Sequence, residues 1–107
     1  MTIYFNSEKA KKYLIKNGEV NTLRDHVIPN GLHKLATGNW HNFSKANVFG
    51  LGRSECIRQI CFKDDSDLLC AVGKSGFESV EEWLAECDKF HSKLPFYLHY
   101  VKLERIQ

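Results

Sequence analysis

The β-prone runs of this chain succeed one another in the order strand, helix, strand, long connection, strands, helices, strand. Most of the links between strands are too short for the right-handed crossover that parallel neighbours require. That spacing constrains the fold more than any other feature. It predicts an α+β domain built on a mixed sheet that closes as a small β-barrel with flanking helices. With 107 residues the chain has the size of one domain. No repeat, low-complexity tract or linker divides it, so residues 1–107 are read as a single unit.

Local signals fill in this outline. Thr2-Ile-Tyr-Phe5 is a short β-prone run, and Asn6 and Ser7 are N-caps for a helix carrying Ala10, Tyr13 and Leu14 on one stripe, stopped by Asn17-Gly18. From Glu19 to Arg24 the period of two puts Val20, Thr22 and Arg24 on one side and Asn21 and Leu23 on the other. Asp25 to Lys45 reads as a long turn-rich connection with a helical turn around Leu32 to Ala36. Ala46 to Leu51 and Glu55 to Phe62 read as two strands with a bend at Gly50 and Gly52. Ser66 is placed to cap a short helix through Cys70 and Val72. Ser79-Val-Glu-Glu82 is a capping box opening a helix with Val80, Trp83, Leu84, Cys87 and Phe90 at helical spacing, and Trp83 and Phe90 are assigned to the core. A last strand runs from Phe96 to Leu103.

The opening residues lack the apolar run of a signal peptide, and no window approaches the roughly 20 apolar residues of a membrane span. The expected location is cytoplasmic, with no membrane partner. Cys56, Cys61, Cys70 and Cys87 form no C-x-x-C pair, so buried free thiols are expected rather than a zinc site, with a Cys70–Cys87 disulfide left open. His33 and His41 have no acid or cysteine at ligand spacing and are read as loop histidines; no metal and no cofactor are expected. Charge is polarised: residues 1–54 hold eight Lys and Arg against three acids, residues 55–107 seven against ten. Such asymmetry suits one face to phosphate.

Three segments carry a family resemblance: Gly18-Glu-Val-Asn-Thr-Leu-Arg24, Lys74-Ser-Gly-Phe-Glu-Ser-Val-Glu-Glu-Trp-Leu84 and Tyr97-Leu-His-Tyr-Val-Lys-Leu103. The chain resembles an ASCH domain over nearly its whole length, most specifically from Gly76 to Trp83. This resemblance implies a PUA-like β-barrel with a cleft for RNA or a nucleoside. Some ASCH members resemble amidohydrolases that use a Lys, a Thr and a Glu. Here Thr22 matches the threonine and Arg24 the basic residue after it. Glu19 stands at the lysine position, and Ser75 or Gly76 at the glutamate position. A threonine hydroxyl attacks only when a neighbouring base takes its proton. An enzymatic reading, a hydrolase on a modified nucleoside or a ribonuclease, therefore needs Thr22 with Glu19 or Lys16 as substitute base, or Lys74 folded back into the vacant place.

Arg24, Lys34 and Lys45, interleaved with His26, His33, Trp40, His41 and Phe43, form the candidate nucleic-acid surface. Thr22, Arg24, Lys34, Trp40, His41 and Lys45 are its chosen contacts. Each base stacked on an aromatic contributes roughly 1–3 kcal/mol, and the cations add salt-sensitive attraction to phosphate. Lys9, Lys12 and Lys16 recur at helical spacing and are read as a solvated face, as are Glu81, Glu82 and Glu86. A protein-interaction domain using exposed aromatics from Phe96 to Tyr100 is the remaining alternative.

Overall fold

The computed structural model describes residues 2–38, 47–90 and 93–107. Among the described residues, one five-stranded sheet, curled into a half-barrel, is accompanied by three α-helices. The elements in chain order are β1 (Thr2–Tyr4), α1 (Glu8–Asn17), β2 (Glu19–Arg24), β3 (Gly31–Thr37), β4 (Asn47–Ile60), α2 (Ser66–Ala71), α3 (Val80–Lys89) and β5 (Phe96–Ile106). The spatial order of strands is β1-β3-β4-β5-β2. β1 runs parallel to β3 and every other neighbouring pair is antiparallel, so the sheet is mixed.

Helix ends follow the local chemistry. Ser7 Oγ accepts from the Ala10 amide at the start of α1, and Gly18, in the left-handed region at φ 78°, closes it with its N–H on the Leu14 carbonyl. Ser79 Oγ accepts from the Glu82 amide at 3.1 Å and opens α3, the N-cap half of the expected box, while the Glu82 carboxylate pairs with Lys9. α2 differs from expectation by one residue. Its cap is Asp65, whose carboxylate is pinned by Arg58 Nη2 at 3.0 Å, and Ser66 is the first helical residue.

The segment read as a turn-rich connection contains β3 instead of a helical turn at Leu32 to Ala36. Gly31–Thr37 is drawn into the sheet by pairing β1 on one side and β4 on the other. The two expected strands from Ala46 to Phe62 are one strand, β4. The bend expected at the glycines is absorbed as a register shift between Leu51 and Gly52. Gly50 is required there by proximity, since a Cβ would lie 2.4 Å from the Arg105 carbonyl oxygen.

Each face of the sheet carries an apolar cluster. On one, α1 packs Ala10 and Leu14 against Ile3, Phe5, Val20, Leu35 and Val101. On the other, α2 and α3 pack Leu68, Ala71, Trp83 and Cys87 against Leu23, Ile60, Phe96 and Leu98. Phe90, expected in this core, is 44% exposed beyond the end of α3. The thiols are free, as expected, but only Cys87 is buried; Cys56 is half-buried, and Cys61 and Cys70 are exposed. Among the described residues no helix is long and apolar enough to cross a membrane.

Candidate functional site

Among the described residues, β1 and β2 are the two ends of the strand order, each paired on one side only. Curling brings these edges to opposite walls of a single cleft of about 730 Å³. Residues 2–7 of β1 and the turn after it form one wall; Asn21 to His26 and Ile28 form the other; Phe77 and the Trp83, Glu86, Cys87 and Phe90 side chains of the α3 region close one end. The sequence pattern correctly puts Thr22 and Arg24 on one side of β2, and both line this cleft. Thr22 is buried in the wall, and Arg24 is half-buried.

Arg24 is the principal polar group of the cleft. Its Nη1 donates to the Tyr4 carbonyl at 2.7 Å, spanning the gap between the two sheet edges, and its guanidinium lies 4.9 Å from the Phe5 ring centroid. Its Nε is buried and has no hydrogen-bond partner among the described residues. Among the described residues no carboxylate forms an ion pair with it. Burial pulls its pKa down to about 10, which leaves it charged at neutral pH. The Cys87 thiol in the same cleft is pushed up from 9.0 to about 11, first by burial and then by Asp88, so it stays protonated and unreactive.

The remaining selected residues are not gathered here. Glu19 lies three positions from Thr22 on a regular strand and therefore points to the opposite face, where its Oε2 meets Lys74 Nζ at 3.2 Å and the Tyr100 hydroxyl at 3.4 Å. Lys74 does reach Glu19, but across the sheet from Thr22. Lys16, exposed on the last turn of α1, is not among the residues of the cleft. Lys34 is exposed on β3 and lines a separate shallow depression of about 290 Å³ with Thr2, Leu32, His33 and Leu51. Trp40, His41 and Lys45 lie outside the described residues, as does Phe43.

The base nearest to Thr22 in register is His99, its cross-strand partner on β5. Both of its nitrogens are committed. Nε2 accepts from the Ile28 amide at 3.0 Å, which fixes the proton on Nδ1, and Nδ1 donates to the Tyr97 carbonyl at 2.9 Å. Among the described residues the ionisable side chains on the cleft are Tyr4, Arg24, Asp25, His26, Glu86 and Cys87, with no lysine. Nothing in that set reproduces the activated threonine of the hydrolase reading. No family model, curated protein or solved structure matches the chain.

Sequence reasoning missed several cleft residues. Tyr4, Asp25 and Glu86 carried no spacing signal that joins β1, β2 and α3, and Phe90 was assigned to the core because its helical spacing continues one turn past the last packed position. His33, read as a loop residue, is buried on β3 and donates Nε2–H to the Pro29 carbonyl at 2.6 Å. The aromatics from Phe96 to Tyr100 do not form an exposed patch. β5 is an interior strand, Phe96 and Leu98 are buried, and Tyr97 and Tyr100 are half-buried. Among the described residues, no group of three His, Cys, Asp or Glu is arranged to hold a metal.

Proposed function

We propose that the chain is a nucleotide- or RNA-binding module, ASCH-like in family and PUA-like in architecture, with the β1–β2 cleft as its binding site. The observation that carries this reading is Arg24, a half-buried cation with a buried Nε and, among the described residues, no carboxylate partner, held in a cleft walled by aromatic side chains. An incoming phosphate supplies the charge that the protein leaves unpaired, and Arg is suited to it by its planar fork of donors. A volume of about 730 Å³ is of the size that encloses one nucleotide-sized guest. Tyr4 and the exposed Phe90 offer ring faces for a base, and Thr22 offers a short polar contact. Binding rather than turnover follows from the commitment of both His99 nitrogens and from the placement of Glu19 and Lys74 on the other face.

Trp83 lies on the cleft, so tryptophan fluorescence is the direct reporter. Titration with short RNA oligonucleotides and with cytidine 5′-monophosphate should show saturable binding that weakens with salt. Arg24→Met, checked for folding by circular dichroism, should lose about tenfold to a hundredfold in affinity, the size of a charge-assisted hydrogen bond. No response to either ligand at low salt would overturn the reading. Release of product from N4-acetylcytidine or labelled RNA, abolished by Thr22→Ala, would replace it with the hydrolase.

A further inference from the structure

We propose that His99 is the positioning residue of the cleft wall and acts as a proton-sensitive latch, holding the 25–30 segment while neutral and releasing it when protonated. The segment carries Asp25, His26 and Ile28 of the wall. Among the described residues, three hydrogen bonds pin it: Ile28 N–H to His99 Nε2 at 3.0 Å, His33 Nε2–H to the Pro29 carbonyl at 2.6 Å, and the Cys56 amide to Asn30 Oδ1 at 3.0 Å. Only the first of these changes sign with a proton. His33 is the donor in its bond and remains a donor in the imidazolium. The Asn30 bond contains no titratable atom. His99 is the acceptor, so its protonation sets an N–H against the Ile28 N–H and leaves both without partners in a buried site.

The surroundings oppose a second positive charge. Arg24 and Thr22 approach the ring from β2, Cys56 stands opposite it on β4, Asp25 and His26 belong to the segment itself, and His33 holds the segment's far end from β3. Asp25 is already engaged, its Oδ1 lying 2.7 Å from His26 Nδ1. Burial first, then Arg24 and His26, keep the His99 pKa below 6.5, against the Tyr97 carbonyl, which raises it. The ring is therefore neutral at physiological pH and the latch closed. Acidification opens it at a pH below 6.5.

The release of the segment is independent of what binds the cleft; only its effect on affinity rests on the proposed nucleotide site. The test uses ¹⁵N-labelled protein without ligand. Ring-nitrogen shifts follow His99, and amide exchange, corrected for intrinsic rate, follows Ile28. Protection of Ile28 should fall about tenfold or more as His99 protonates, while Trp83, whose amide is held by the Ser79 carbonyl in α3, keeps its protection. His99→Gln, which can accept from Ile28 and donate to Tyr97 without titrating, should hold Ile28 protection flat, and His33→Gln should keep the wild-type profile. A flat Ile28 profile in wild type through the His99 titration overturns the proposal, and so does an equal fall in His99→Gln. Because the wild-type profile alone is decisive, a variant that fails to fold does not remove the test. In a second arm, affinity for cytidine 5′-monophosphate should fall in step with Ile28 protection. PH-invariant affinity in spite of Ile28 release overturns the latch as a control on the cleft. Absence of binding at every pH overturns the nucleotide reading, while the Ile28 amide still decides the latch.

Discussion

On the face covered by α2 and α3, the buried side chains are Leu23, Ile60, Leu68, Ala71, Phe77, Trp83, Cys87, Phe96 and Leu98, and the polar Ser75 beside them is satisfied twice, donating to the Val72 carbonyl and accepting from the Phe77 amide. On the face covered by α1, the apolar cluster shares its interior with Thr22, His33, Ser54 and His99. Among the described residues, the buried side-chain polar atoms without partners, Arg24 Nε, His33 Nδ1 and Ser54 Oγ, all belong to residues pointing to that second side. Buried polar groups cost stability unless hydrogen-bonded, so the α1 face is the less economical half of the core. It is also the half that leads to the cleft through Thr22 and Arg24. The division is one of polar cost rather than of recognition: the unsatisfied groups gather on the α1 side, and the cleft is lined from both, by Thr22 and Arg24 on one and by Phe77, Trp83 and Cys87 on the other.

Trp83→Ala tests the first half of that division most severely. Removing a large ring that is 3% exposed should cost about 3–5 kcal/mol, read as a lower denaturation midpoint in urea. A loss under about 1 kcal/mol would show that the α3 face is not the stabilising one. Gly76→Ala should cost about 2 kcal/mol or more by the same assay. Gly76 has φ +90°, and a Cβ there would lie 2.5 Å from the Lys9 carbonyl oxygen of α1, so the turn that brings Phe77 to the cleft depends on its absence.

Acidification should act on the α1 face alone. The folded His99 binds its proton less readily than the unfolded chain, so stability is fully present above pH 6.5 and falls as pH drops through that value toward the lower folded pKa. Denaturation midpoints across that range should slope downward in wild type and lose that component in His99→Gln. The smallest effect is expected from Ser54→Ala. Deleting a buried hydroxyl that has no partner should leave stability unchanged or raise it by less than about 1 kcal/mol. A clear loss would reveal that the hydroxyl is satisfied, and would narrow the contrast between the faces.

Elements with a strong local signature were legible in the residues. The Ser79 capping box, the Gly18 stop and the alternation from Val20 to Arg24 each state a preference that the backbone obeys within a few positions. β3 was not legible, because its identity comes from two partners distant in sequence: Ile3 beside Leu35, and Gly52 beside His33. Glycines 50 and 52 looked like a break and are instead the places where β4 lies closest to β5 and to the Leu35 side chain. Cys61 and Cys70 sit among apolar letters yet face solvent, since α2 is short and buries Leu68 and Ala71.

The same boundary runs through the site. Sequence alone determined that Thr22 and Arg24 share one side of a strand, because a period of two is a property of the extended backbone itself. It also set the class of fold, since the short connections between strands left few topologies to choose from. Tertiary structure alone decided that β1 and β2 would face each other, that Arg24 would meet the Tyr4 carbonyl, and that His99 would hold Ile28 across 71 positions of chain. Those contacts follow from the curl of the sheet and the order of its strands, which bring together residues that have no local means of signalling one another.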